Sequence, residues 1–304
     1  LGGFALGRQG IGDVAGGFRA RCLAKVGQSG QGRAMEDPAT FCLETLRVVR
    51  DGHVLIVTLD RPQRRNALNR RAYDEIEQVF RAVRCDGLTR CVVVTGCDPA
   101  FCAGEDVKEM MTGQEAVAAR ARLGAIRPEP TPAAVAVLEC ERPVIAAING
   151  AAVGWGLELA LFADIRIASE RASLGEIFVK RGLVSDVGGV WLLPLIVGRE
   201  AAAELLFTGD VIDASRALEI RLVSRVVAHA DLMPTALALA HRIAANPPLA
   251  LAALKEGLRV GRREDLREVG TWVSGMLAKL FATEDHREGV ASFLEKRAPV
   301  FHGR

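Results

Sequence analysis

Four short apolar runs limit what this chain can fold into: "VLIVTLD" (54–60), "CVVVTG" (91–96), "PVIAAING" (143–150) and "IRIAS" (165–169). Each reads as a strand, and their nearly unbroken apolar character suits strands covered on both faces. Between them lie segments of helical period. Residues 72–84 put Ile76, Val79, Phe80 and Val83 on one face, and 156–163 is apolar throughout. Strands alternating with helices predict an α/β fold, largely a parallel sheet covered by helices. Downstream, "REAAAELLFTG" and "DASRALEI" read as helices, the second capped by Asp213, and "RLVSRVV" reads as a strand. From Asp231 the pattern is helical: "ADLMPTALALAHRIAAN" up to Pro247-Pro248, then "LALAALKEGLRV" and "DLREVGTWVSGMLAKLFAT". These helices carry more apolar face than a short tail needs, so packing against another subunit is expected. The proline-bearing stretch 112–134 reads as a substrate-side loop or lid, or as a solvated connector.

Composition excludes several classes. Of 304 residues half are apolar and a quarter charged, as in a protein with a sizeable core. A net charge of +2 gives no argument for nucleic acid or a membrane surface, and no run is long enough for a spanning helix. The seven cysteines form no CxxC pair and the five histidines have no ligand spacing. Reduced thiols, a cytoplasmic location and no metal are therefore expected. Residues 1–34 hold ten glycines and one acid, Asp13. They read as a flexible tail or as sequence upstream of a start at Met35, and residues 1–38 are assigned no function.

"NGAAVGWGLELALFAD" (149–164) is a glycine turn running into an apolar helix, with Trp155 in the turn and Glu158 in the helix. The third glycine of a dinucleotide-binding GxGxxG is missing, and GxxxxGK[ST] and GxSxG are absent, which disfavours nucleotide and α/β-hydrolase readings. The first amides of a helix lack intrahelical partners and, with the helix dipole, can hold developing negative charge. A carboxylate among Leu and Phe is costly unless paired or protonated. Glu158 beside such a turn therefore suits enolate chemistry, unless it is simply a part-exposed helix glutamate. A second turn, Ala103-Gly104 in "PAFCAGEDVKEM" (99–110), also follows a strand. Two such turns can offer one N–H each to the same oxygen.

In order and spacing, "RPQRRNALN" (61–69), "AFCAGEDVKEM" (100–110), "RPVIAAINGAAVGWGLELALFADIRIAS" (142–169) and "LLFTGDVIDASRALEIRLVSRVV" (205–227) closely resemble the crotonase, or enoyl-CoA hydratase/isomerase, superfamily. The likeness runs over roughly residues 40–304. It implies a spiral of ββα units over 39–235 and a C-terminal helical trimerisation region over 236–304, assembled as a homotrimer or a dimer of trimers. It implies an acyl-CoA thioester as substrate and no other cofactor. The thioester oxygen would lie between the backbone amides of Glu105 and Trp155, a position the family usually fills with glycine. Ala67, Leu68, Ala103, Gly104, Asp106, Val107 and Lys108 would lie along the CoA moiety, with Phe178, Lys296 and Phe301 also lining the site.

Glu158 matches the first catalytic glutamate of the hydratases. The second aligns with Phe178, and Glu176, two residues away, is expected to face elsewhere. Asp186 matches the catalytic aspartate of certain isomerases of the superfamily, or is a turn residue before Val187-Gly188-Gly189. The implied activity is enoyl-CoA hydration or double-bond isomerisation, in fatty-acid or aromatic and branched acyl-CoA metabolism. The alternative is a non-catalytic acyl-CoA-binding or assembly subunit.

Overall fold

A computed structural model describes residues 36–113, 130–246, 248–260 and 280–297, with isolated positions between them. The chain divides into Leu1–Glu36 and Asp37–Arg304, and the fold below is that of the second unit. The apolar runs become the strands of a large sheet. β1 (Leu46–Asp51), β2 (Val54–Leu59) and β3 (Cys91–Gly96) are joined by β5 (Val144–Ile148), β7 (Ile165–Ser169) and β10 (Arg225–Val227), in the order β1-β2-β3-β5-β7-β10. Only β1, which the sequence reading omitted, runs antiparallel to its neighbour. A smaller sheet has the order β4 (Ala100–Cys102), β6 (Ala151–Val153), β8 (Ser173–Gly175) and β9 (Val211–Asp213).

The two sheets are wound by one repeated path. After β3, β5 and β7 the chain leaves the large sheet, adds a three-residue strand to the small one, and returns through helical structure. The expected spiral of ββα units is therefore present. The helices are α1 (Arg70–Val83), α2 (Val107–Met110), α3 (Pro132–Leu138) and α4 (Trp155–Phe162), followed by α5 (Leu193–Val197), α6 (Arg199–Thr208) and α7 (Ala214–Glu219). α8 (Leu232–Ala244), α9 (Pro248–Val260) and α10 (Glu284–Glu295) complete the described set. Asp213 caps α7 as expected, accepting the N–H of Arg216 at 2.8 Å.

Side-chain alternation explains the unbroken apolar strands. Val92, Val94, Ala146 and Ile148 point into a core shared with α1, α3 and α4. Their neighbours Cys91, Val93, Ile145 and Ala147 point into a second core under α8. That helix contacts the sheet through Leu232, Ala236, Ala240 and Ala244, spaced at i, i+4, so small side chains let it lie close. Of "RLVSRVV", only the last three residues form a strand, because Leu222 and Val223 turn into the main core instead. Most of 112–131 and much of "DLREVGTWVSGMLAKLFAT" lie outside the described residues.

Candidate active site

Every residue of α4 is buried, as a helix apolar on all sides must be. Its entry is fixed by Gly154, at φ 54° and ψ −128°, whose N–H donates to the carbonyl of Gly175 at 2.8 Å. Gly156 has to be glycine, because a Cβ there would stand 2.1 Å from the carbonyl oxygen of Cys102 in β4. The second turn meets this one. A Cβ on Gly104 (φ 86°) would lie 2.7 Å from the Val153 carbonyl oxygen and 3.6 Å from the Trp155 nitrogen. Gly104-Glu105 and Gly154-Trp155 thus bring their backbones together, as the sequence suggested. Leu68 clips the first turn in place: its N–H donates to the Gly104 carbonyl, and its own carbonyl accepts from Asp106, both at 2.8 Å.

A cleft of about 370 Å³ opens over these turns. Ala67, Ala103, Gly104, Glu105, Asp106, Val107, Lys108, Trp155 and Phe178 line it, as do Arg64, Arg65 and Arg181, which the sequence reading did not name. Two expected lining residues do not. Leu68 is 1 % exposed and its side chain joins the core, leaving only its main chain to shape the turn. Lys296 ends α10 in a left-handed conformation, exposed; Phe293 and Leu294 from that helix face the cleft instead. Phe301 lies outside the described residues. Asp106 sits on the wall, but its carboxylate is engaged by Arg61 at 3.3 Å and caps α2. Trp155 is wedged edge-on between Tyr73 and Phe162, with ring centroids 4.7 and 5.6 Å away. Arg181 stacks on the Phe293 ring at 4.3 Å and forms no ion pair among the described residues.

Behind this lining lie three buried carboxyl groups. Glu158 is fully buried and accepts the N–H of Gly188 at 2.5 Å and of Gly189 at 3.0 Å. Both donors open a wide π-helical turn, Gly188–Leu192. Burial first, then the charges of Glu176 and Asp186, hold Glu158 well above the usual carboxylate range, against the pull of the two amides. Asp186 accepts the N–H of Val187 at 2.8 Å and is 5 % exposed.

Glu176, two residues before Phe178, does not line the cleft. It is 1 % exposed, its charge bears on both Glu158 and Asp186, and neither carboxyl oxygen has a hydrogen-bond partner. The reason lies in the backbone. β8 ends at Gly175, and a bend at Glu176 (φ −94°, ψ 79°) turns Ile177 and Phe178 toward the cleft while the glutamate stays behind it. Its carboxyl is pushed well above the usual range by burial and then by Asp186. The nearby Cys102 is no nucleophile, since burial lifts its thiol to about 12. Among the described residues, no three His, Cys, Asp or Glu side chains are spaced to hold a metal ion, and no helix is long and apolar enough to cross a membrane.

Residues 50–304 match the sequence profile of the family described as enoyl-CoA hydratase/isomerase. Carnitinyl-CoA dehydratase from Escherichia coli (strain K12) is 37 % identical over 86 % of this chain and 99 % of its own length. The short-chain-enoyl-CoA hydratase of Clostridium acetobutylicum is 35 % identical over 84 % of this chain and 96 % of its own. The crystal structure of an enoyl-CoA hydratase/isomerase from Pseudoalteromonas atlantica T6c superposes with a TM-score of 0.76 at 30 % identity, covering 85 % of this chain and all of that one. The chain belongs to the enoyl-CoA hydratase/isomerase family, within the crotonase superfamily. It is an acyl-CoA-processing enzyme of the hydratase/isomerase type.

Proposed function

We propose that the cleft binds an acyl-CoA thioester with its carbonyl oxygen between the backbone N–H groups of Glu105 and Trp155, and that Glu158 moves the proton at Cα. The observation that carries this is the meeting of the two glycine turns over a helix whose first turn holds a buried carboxyl group. Withdrawal of the Cα proton puts negative charge on the thioester oxygen, where preorganised N–H donors are worth most, roughly 3 kcal/mol each. Asp186 is the second acid of a double-bond shift, and Phe178 and Trp155 wall the acyl end. Arg64, Arg65, Lys108 and Arg181 supply positive charge along the cleft for the phosphates of CoA, which is the only cofactor-like group required.

Leu254 and Leu258 of α9, 67 % and 73 % exposed, suit assembly of the C-terminal helices into a homotrimer or a dimer of trimers. A cytoplasmic setting fits the free cysteines. The test is direct: the full chain with crotonyl-CoA and with a 3-enoyl-CoA should give hydration or double-bond migration, read as products by mass and absorbance. Turnover of neither would overturn the proposal.

Glycine at 188 is part of the same machinery. A Cβ there would stand 2.2 Å from Oε2 of Glu158 and 3.1 Å from its Cα. Gly188→Ala should therefore push the carboxyl group off its amides and lower kcat by roughly 100-fold. Binding of a saturated acyl-CoA should change little. A variant with wild-type kcat would show that the Glu158 position is not set by this turn.

A further inference from the structure

Arg181 carries a charge that no carboxylate among the described residues answers. Its Nε is sealed from solvent without a hydrogen-bond partner, and burial alone pulls the guanidinium below its ordinary value. The neighbouring Lys180 is half-exposed and pairs with Asp210 at 3.3 Å. Arg64, Arg65 and Lys108 are exposed, as suits cations that meet phosphates in solvent. Arg181 instead lines the cleft as a part-buried residue beside Phe178, Leu183, Phe293 and Leu294. α10 holds it there: a Cβ on Gly289 would stand 2.4 Å from the Arg181 Cα, and His286 Nδ1 lies 3.1 Å from its carbonyl oxygen. Stacking on Phe293 uses the face of the guanidinium and leaves its edge, where the N–H donors are. Its charge adds to the field along the cleft, and the edge is left for a ligand.

Its place in the cleft says which part of the ligand it meets. Ile177–Arg181 is a 3-10 helix, in which side chains three residues apart lie in line, so Phe178 and Arg181 share one edge. The Phe178 ring stands at the Gly154 turn, 3.9 Å from where a Cβ of that glycine would be. Arg181 follows it by one turn, about 6 Å, on the wall already given to the acyl group. An acyl group bearing an anion there meets a planar fork of donors, whereas a hydrocarbon one covers the charge and leaves it unpaired.

We propose that Arg181 selects acyl groups that end in a carboxylate, so that the preferred substrates are CoA thioesters of dicarboxylic acids. The inference rests on the acyl-CoA reading above and narrows its substrate. Carboxylate and guanidinium pair side by side, two N–H donors to two oxygens, and no bond is made or broken. Arg181 is thus a specificity residue, and the proton chemistry at Cα is unaltered.

Glutaconyl-CoA and 2-hexenoyl-CoA present the same thioester and the same phosphates and differ at the far end of the acyl group. The wild-type chain should favour glutaconyl-CoA in kcat/KM by roughly tenfold or more. Arg181→Leu should cut that ratio by roughly 10- to 100-fold, and any lost contact with the phosphates cancels in it. Arg181→Lys keeps the charge without the fork and should fall between the two. A ratio unchanged in the variants overturns the proposal, and so does a wild-type preference for the neutral ester. If neither variant folds, inhibition of the wild-type chain by saturated esters decides. Glutaryl-CoA should inhibit at roughly tenfold lower concentration than hexanoyl-CoA, and equal inhibition refutes the assignment. Turnover of 2-hexenoyl-CoA without that of glutaconyl-CoA removes the carboxylate and leaves the acyl-CoA reading standing; turnover of no ester removes that reading itself.

Discussion

Glu158→Gln should bind acyl-CoA and fail to turn it over. The amide side chain matches the carboxylate in shape but accepts no proton at neutral pH. Its NH2 must also face one of the two N–H groups, of Gly188 or Gly189, that the carboxylate now accepts. Loss of a positioned general base lowers turnover by roughly 10²–10⁴-fold, while the oxyanion turns keep substrate affinity near its wild-type value. The readout is kcat against KM with crotonyl-CoA, and unchanged kcat would remove Glu158 from the mechanism. Stability should move differently. Burial raises Glu158 and Glu176 above the usual carboxylate value of 4.5, so the folded protein holds protons there that the unfolded chain gives up. Their contribution is fully present below about pH 4.5 and fades as pH rises through the folded values. The variant should therefore lose less stability than wild type between weakly acid and alkaline pH.

Glu75→Ala is expected to be the most damaging single change to the fold. This glutamate of α1 is 1 % exposed and accepts four hydrogen bonds. They come from the N–H groups of Glu44 and Thr45, at 2.8 and 2.9 Å, and from Thr45 Oγ1 and Arg71 Nε, at 2.5 and 2.8 Å. They tie α1 to the segment that leads into β1, and their removal leaves buried donors unmatched. A loss of roughly 3–5 kcal/mol follows, which lowers Tm by about 10 °C. Burial pushes the Glu75 carboxyl up, but the N–H of Glu44, then Thr45, then Arg71 bring it below its ordinary 4.5. Its stabilisation is present above that pH and lost as pH falls through the folded value. The gap between wild type and variant, followed by thermal melts, should be widest at neutral pH and close in acid. A fall in Tm under about 2 °C would show that the segment before β1 holds without this anchor.

Long elements were legible in the sequence because one signal ran through each of them. "CVVVTG" is β3 residue for residue, and α1 differs from its expected range only at its ends. The strands of the small sheet were not legible. "AFC", "AAV", "SLG" and "VID" are three residues each, too short to show alternation, and they exist because the spiral pairs them. Glu75 could have been found: with Ala72, Ile76 and Val79 it lies on the inward face of α1, where a carboxylate needs partners. Glu158 and both glycine turns stood out in the sequence for the same reason, a polar or flexible residue where an apolar run has no use for it. Glu176 did not, because its direction depends on one bend after β8 that spacing along the chain does not encode.

The wide turn at Gly188–Leu192 makes the site sensitive to chain length. It is closed by the N–H of Leu193 reaching back to the carbonyl of Gly188, one residue further than an α-helix allows. Removing any one residue from this segment would leave an acceptable ordinary helix and a hydrophobic sequence that still reads as one. It would also turn the following chain by roughly 100° against the two amides that hold Glu158. Two chains of this kind could differ by a single deletion there, agree almost everywhere else, fold alike, and run their proton chemistry on different residues.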